Sequence, residues 1–466
     1  MAYIGKTPVL GNFVKLDAIS VVNGQAAYTM QNGSVNFTSY DNVNQFLVSL
    51  NGILQSPTDS FTVSGSTLTF ASNLSTGDVI DFVMVLGNSL DIGTPSDNTI
   101  TTAKLSNNAV TNAKLSFNAN QYRNIIINGD MSIAQRGTSS SGITNSGYYT
   151  VDRWRTGIDT GGTWTQTQST DVPTAQGFRS STKLDCTTAN ASLSGGEVLY
   201  FTNRIEGQNL QYLKKGTANA QSLTASFWVK SNKTGTYICE LQDSDNARTI
   251  SKSYTIDSAS TWEKKTITFA GDTTGTLDND NNRSLDLNFW LVAGTNFTSG
   301  TLQTSWNTST TANRAVGQVN LADSTDNEFY ITGVQLEAGT SASDFEFLPL
   351  DVNLRRCQRY YYLHADGASS NKRIMTAGAY NGSLIDGTVF FPTTMRANPS
   401  IDVVSGTNYY TCYGNNSNDP VNDFSIEESN INSAGVRNSS ASVTQGAPYH
   451  VITTNSSAKL AFNSEL

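Results

Sequence analysis

Leu285-Asp286-Leu287-Asn288-Phe289-Trp290 alternates apolar and polar residues, and Leu291 extends the apolar set. A period of two is the mark of a β-strand with one face in a core. Leu285, Leu287, Phe289 and Leu291 define that face, so Trp290 shares the opposite face with Asp286 and Asn288. The same parity recurs at Leu223, Ala225, Phe227 and Val229, which leaves Trp228 with Thr224, Ser226 and Lys230. Ile267 and Phe269 stand between Thr266 and Thr268 in the same way. Strands of this kind separated by polar turns predict a β-sandwich of jelly-roll type over residues 119–350.

The flanking segments also read as β structure. In residues 1–90, Phe46, Val48 and Leu50 alternate with Leu47, Ser49 and Asn51 before an Asn51-Gly52 turn. Val63 leads through Ser64-Gly65-Ser66 into Leu68 and Phe70, a hairpin, and Gly77-Asp78 opens a strand over 79–86, apolar on nearly both faces and so central to a sheet. Residues 351–361 carry the best helix pattern, with Asp351 as N-cap and Leu354 and Cys357 on one face. A third β-rich unit, a tip domain over 351–466, includes the runs 388–391 and 408–413. The expected fold is all-β, with serial sandwich or jelly-roll-like domains, a short shaft and one short helix.

The shaft is read from residues 91–118. Ala103-Lys104-Leu105-Ser106 returns as Ala113-Lys114-Leu115-Ser116, and Ile100, Leu105, Val110 and Leu115 recur every five positions. Five residues advance a helix by roughly 140° beyond a full turn, so the anchors spiral around it, and on a strand they alternate faces. A lone chain buries little with this spacing. Identical chains wound about a common axis would bury all four.

Composition narrows the function classes. Charged residues are only 14% of 466, while 19 Tyr, 20 Phe and 6 Trp supply core material, which argues for turn-rich β structure instead of disorder. A net charge of −9 repels phosphate backbones and speaks against nucleic-acid binding. No apolar run nears the ~20 residues of a membrane span, and the N-terminal residues lack signal-peptide features. Cys186, Cys239, Cys357 and Cys412 are widely spaced and read as free thiols of a chain assembled in a reducing cytoplasm. A virion component released by lysis reconciles this with an adhesin-like composition.

Several motifs resemble the tail fibres of bacteriophages, most closely those of marine phages infecting cyanobacteria. Ala2-Tyr3-Ile4-Gly5-Lys6 with Ser49-Leu50-Asn51-Gly52-Ile53 and Gly77-Asp78 resembles the fibre domain that anchors to the tail, and the Thr-Ala-Lys-Leu repeat is similar to shaft repeats of trimeric fibres. Asn124-Ile125-Ile126-Ile127-Asn128-Gly129-Asp130-Met131, Ala134-Gln135-Arg136-Gly137-Thr138 and Val151-Asp152-Arg153-Trp154 begin a third series. It continues through Gly333-Val334-Gln335-Leu336-Glu337-Ala338-Gly339, Phe345-Glu346 and Cys357-Gln358-Arg359-Tyr360-Tyr361, and resembles a carbohydrate-binding-module-like sandwich. Phe391-Pro392-Thr393-Thr394-Met395-Arg396-Ala397-Asn398-Pro399 is similar to the region that commonly follows it. The resemblance implies a homotrimer bound through residues 1–90 to tail or adaptor proteins, located in the virion tail. Its distal domains would meet host surface glycan or lipopolysaccharide.

Catalytic chemistry finds little support. His364 and His450 are the only histidines and are far from each other and from cysteine spacing, so no triad or zinc site is expected; both are read as surface or inter-protomer residues. The pairs Asp243/Asp245, Asp278/Asp280 and Glu427/Glu428 sit in Asn/Ser-rich context that reads as solvated turns, not as a glycosidase pair. The segment 278–289 begins like a calcium loop, but Arg283 and Phe289 stand where glycine and glutamate are needed. No metal, cofactor or catalytic residue is expected, and a polysaccharide-degrading tailspike or a purely structural adaptor are the alternatives.

Aromatic residues carry the binding reading. An indole on a polar strand face can stack on a pyranose while its neighbours bond hydroxyls, which makes Trp228 and Trp290 candidates. Packing between protomers is the competing use of these rings, and the favoured one. Tyr362, Tyr409 and Tyr410 belong to tyrosine clusters that could form an adhesive surface. Trp154 and Trp262 read as core or domain-interface residues. The shaft reading has a direct check: Leu105→Asp with Leu115→Asp should give monomers by sedimentation, whereas a trimeric variant would move assembly to the globular parts.

Overall fold

The strand Arg283–Ala293 is buried at every position between its two ends, because each of its faces is covered by a different layer. The computed structural model describes residues 13–87, 100, 105, 122–367 and 371–466. The chain divides into two units, Met1–Thr111 and Asn112–Leu466. Strands dominate both, as the alternation predicts, and the α-helices among the described residues are Thr295–Thr298 and Leu350–Gln358. No helix among those residues is long and apolar enough to cross a membrane.

Two antiparallel sheets form the sandwich of the larger unit. One has the order Ser139–Ile143, Thr163–Ser169, Ser181–Thr188, Glu328–Ala338, Leu223–Ser231, Glu263–Phe269. The other runs Gly147–Tyr148, Trp154–Asp159, Val198–Glu206, Arg283–Ala293, Gly235–Asp243, Arg248–Ile256, Asn307–Thr308. Leu285, Leu287 and Phe289 enter the shared core, as do Leu223, Ala225, Phe227 and Val229. Phe289 meets Phe227 edge-on at 4.8 Å, and Trp154 stacks on Phe201 at 4.9 Å. Each such side chain contributes roughly 1.5–3 kcal/mol by leaving water. The alternation breaks after Trp290, where a register shift lets Leu291 and Val292 both join the core.

In the N-terminal unit, Ile80–Leu86 lies between Phe13–Lys15 and Phe46–Leu50. Asn51 and Gly52, at φ of 54° and 79°, join Phe46–Leu50 to Ile53–Leu54 as the two left-handed positions of a tight hairpin. Phe61–Ser64 pairs with Thr67–Leu74 across Gly65-Ser66, the expected hairpin.

The helix Leu350–Gln358 is capped two residues before the expected Asp351 and ends short of residue 361, where the strand Tyr361–Asp366 begins. Pro349 occupies its N-cap position without a side-chain cap, and Asp351 stands in the first turn, where its charge suits the helix dipole. Cys357 is buried, and Leu354 is half-buried. Beyond it lie a three-stranded sheet of Tyr361–Asp366, Lys459–Asn463 and Ser400–Val404, and a seven-stranded sheet containing Ile385–Phe390 and Tyr410–Gly414. All four cysteines are free and buried.

Asp152-Arg153-Trp154 joins these sheets to the sandwich. Trp154 points into the core and donates from Nε1 to the Asn128 carbonyl at 3.0 Å. Arg153, also buried, pairs with Glu465 and lies 3.4 Å over the Tyr360 ring. Arg136 reaches Glu465 at 3.3 Å and lies 3.6 Å over Tyr361. Arg359 pairs with Glu206 through two bonds of 2.8 Å. Stripping one partner from a buried pair costs about 3–5 kcal/mol, so these contacts resist separation of the two β regions.

Asp152 accepts from the Gln135 backbone N–H at 3.0 Å. Burial raises its pKa from 3.8 to about 6, against the pull of Arg136. The folded state therefore holds this proton more tightly than the unfolded chain, and the site's contribution to stability falls as pH rises from about 4 to about 6. In urea unfolding, the stability of the natural chain minus that of Asp152→Asn should fall across that window and level off above it. A flat difference would refute the assignment.

Candidate functional site

The outer face of the sandwich sheet that contains Arg283–Ala293 is polar, as the parity of Asp286 and Asn288 requires. Arg155 lies opposite Thr202, Thr202 opposite Asn288, and Asn288 opposite Glu240. Paired residues share a face, so these four form one row across four strands. Gly157, Tyr200 and Trp290 form the next row on one side, and Arg204, Asp286 and Gln242 the next on the other.

Burial forces this face to pair its charges. Glu240 accepts from Arg314 Nε at 2.8 Å and Nη2 at 2.7 Å, from Asn288 Nδ2 at 2.9 Å and from Trp290 Nε1 at 3.2 Å. Asp286 accepts from Arg283 Nε at 2.8 Å. Burial raises the Asp286 pKa even so, with Arg283 opposing. Three atoms keep unused capacity while shielded from solvent: Asn288 Oδ1, Thr202 Oγ1 and Arg204 Nε have no hydrogen-bond partner. The guanidinium of Arg155 is half-buried and makes no ion pair or hydrogen bond among the described residues.

Trp290 lies on the expected face but is not available there. It is 1% exposed, because the segment after its strand folds back over it. Phe297 sits 5.4 Å from its ring, Ala315 packs beside it, and Arg314 lies 5.1 Å above it. Neither a sugar nor a second protomer covers this indole; its own chain does. The accessible ring is that of Tyr200, half-buried and 5.4 Å from Trp290. A Cβ at position 157 would stand 2.4 Å from the Tyr200 ring, so glycine there lets the ring lie close on the sheet. Sequence reasoning missed Tyr200. A usable signal was Gly157 inside a strand, which marks close approach of another group.

The other predicted residues fall elsewhere. Trp228 is half-buried on the outer face of the six-stranded sheet, opposite Lys264 and Thr332. On that face Lys230 is paired to Asp171 and Lys183 lies 2.8 Å from Glu328. Trp262 belongs to that surface and not to a core: its Nε1 donates to Asp171 at 2.9 Å. Tyr410 is wholly buried, with its hydroxyl on the Val404 and Lys459 carbonyls at 2.8 Å, so it cannot serve an adhesive surface. Tyr362 and Tyr409 are half-buried, and the Tyr362 ring stacks with Phe462.

Asp243, read as a solvated turn residue, is buried and holds Lys215. Asp278, Glu427 and Glu428 are exposed. His364 is half-buried between the Tyr362 hydroxyl and the Ile374 carbonyl. Ile100 and Leu105 are 40% and 44% exposed on the single chain, and Val110 and Leu115 lie outside the described residues. No group of three metal-ligating side chains occurs among the described residues.

No protein-family model and no curated protein matches the chain. Among solved structures, 47% of the chain is similar to the enzymatically active domain of tailspike protein 4 of bacteriophage CBA120, at 14% identity and a TM-score of 0.25. That match spans 22% of the tailspike domain. The chain is also similar, over 44% of its length, to 98% of a family 11 carbohydrate-binding module from Clostridium thermocellum, at 12% identity and a TM-score of 0.22. The same share is similar to 98% of the CBM22-1 xylan-binding domain of Paenibacillus barcinonensis Xyn10C, at 8% identity and a TM-score of 0.21.

Glu240 is the pin that holds the covering segment over Trp290. Glu240→Ala should cost about 3–5 kcal/mol, because Arg314 is left buried without its partner. The expected readouts are a lower urea midpoint and faster proteolysis within residues 294–320. Unchanged proteolysis there would show that apolar packing alone secures the segment.

Proposed function

We propose that this chain is a homotrimeric bacteriophage tail fibre, held to the tail through residues 1–90, that adsorbs to host surface glycans through its distal domains. The carrying observation is Tyr200, laid against the sheet at Gly157 beside a row of polar side chains. A flat ring edged by fixed hydrogen-bonding groups suits a pyranose, whose C–H face stacks while its hydroxyls bond. Buried ion pairs position Arg283 and Arg314 in advance, which lowers the ordering cost of binding. The exposed Ile100 and Leu105 on a single chain support assembly on a shared axis. Three copies per fibre and several fibres per particle would turn weak single contacts into firm adsorption by avidity.

The fibre binds without cleaving: Glu240 and Asp286, the carboxylates buried in this face, are each engaged by arginine. The chain is made in the host cytoplasm and built into the virion tail.

Soluble full-length protein should compete with phage for adsorption to host cells. Tyr200→Ala should lose that competition, and Trp228→Ala should keep it. Loss with Trp228→Ala alone would move the site to the six-stranded sheet. Failure of the natural protein to compete would favour a structural adaptor, and oligosaccharide released from host capsule or lipopolysaccharide would favour a tailspike enzyme.

A further inference from the structure

We infer that the cavity beside the last turn of the helix Leu350–Gln358 is a second saccharide site, which takes a neutral sugar on the rings of Tyr122 and Tyr212 and the guanidinium of Arg356. It is separate from the Tyr200 face, whose ring does not line it.

The cavity measures about 380 Å³, within the range of small-molecule sites. Ile205, buried, and Ile125 and Ile127, half-buried, give it an apolar interior. Tyr122 and Tyr212, 56% and 47% exposed, bring two rings to its open edge. Gln208 and Asn209 are exposed there as well. Arg356, half-buried, makes no hydrogen bond or ion pair among the described residues, which leaves its N–H donors for a ligand. An apolar interior with exposed rings and convergent donors matches a sugar, whose C–H face stacks while its hydroxyls accept. A purely apolar ligand would leave those donors unpaired.

Charge decides for a neutral sugar. Arg359, which also lines the cavity, pairs with Glu206 through two bonds of 2.8 Å. Arg204 donates Nη1 to the Leu466 carbonyl at 2.6 Å and has Asp286 opposite it in register. Arg356 is balanced at longer range: burial depresses its pKa, and Glu346 is the carboxylate among the groups that oppose this. Among the described lining residues, no guanidinium stands without an opposing group, so nothing calls for an anion. The walls are also set in advance. Glu346 fixes the segment of Tyr122 by accepting from the Asn124 backbone N–H at 2.9 Å. Asn353 ties the helix of Arg356 to Asp130 and Ser132, each at 3.1 Å. Leu213, buried, anchors the turn Gln211–Leu213 that carries Tyr212. Groups held in place beforehand lose little freedom on binding.

The test uses full-length Tyr200→Ala protein, so that the sheet face does not contribute, beside the natural protein. Both are presented to an array of neutral oligosaccharides of glucose, galactose, mannose and xylose, with uronic and sulfated oligosaccharides alongside. Titration calorimetry then follows the neutral members that bind. Adding Tyr212→Ala or Arg356→Gln, with melting temperatures checked, should weaken binding roughly tenfold. Tyr212→Phe, which keeps the ring, should retain it. Affinity should hold steady between about 50 and about 300 mM NaCl, since no ligand charge is screened. Neutral binding by the natural protein but not by Tyr200→Ala would overturn the second site and leave the Tyr200 reading standing. No binding by either would overturn both. Binding confined to uronic or sulfated members would overturn the neutral class. Affinity that neither Tyr212→Ala nor Arg356→Gln alters would remove the cavity from binding.

Discussion

The strand Arg283–Ala293 must bury both of its faces, and much of the larger unit follows from that. Its odd side is apolar and meets the second sheet, which is ordinary sandwich packing. Its even side carries Asp286, Asn288 and Trp290, whose polar atoms would be costly to bury alone. The chain meets that cost with Arg283, Glu240 and Arg314. Arg314 arrives on the segment that covers Trp290, so the electrostatic solution also fixes where the segment lies. The result is a rigid polar surface on which Tyr200 and Arg155 remain accessible.

A second buried charge organises the other side of the same unit. Arg153 is left-handed in backbone conformation, at φ of 71°, which turns its side chain out of the sandwich while Trp154 enters it. Its partner Glu465 lies more than three hundred positions away and brings the C-terminal residues against the sandwich. Leu466 then meets Arg204 and the Tyr148 hydroxyl, at 2.6 and 3.0 Å. Leu466 thus borders the polar face, and one ion pair links the C-terminal sheets to the geometry of the site.

The fold was widely legible because burial writes a period of two into each strand. The hairpin at Gly65-Ser66, the Asn51-Gly52 turn and the sandwich strands at 223–229 and 285–289 were all readable from residue type and spacing. The register shift beyond Trp290 was not, since it depends on how Val198–Glu206 pairs with that strand. The helix cap was misplaced by two residues because Pro349, and not the Asp351 side chain, sets the start. Asp243 and Tyr410 sit in polar, turn-like sequence, and only their distant partners, Lys215 and the Val404 and Lys459 carbonyls, reveal that both are buried.

For the candidate site, sequence by itself determined that Trp290, Asp286 and Asn288 share one face and that this face is polar. Parity is a local property of an extended chain and needs no knowledge of neighbours. The tertiary structure decided that the indole is covered and that Tyr200 takes its place. It also decided that Arg155 finds no ion pair among the described residues. Each of those outcomes depends on which strands pair, in what register, and on a segment folding back from beyond the strand. Residue spacing along one strand cannot carry that information, because the groups that cover or expose a side chain come from elsewhere in the chain.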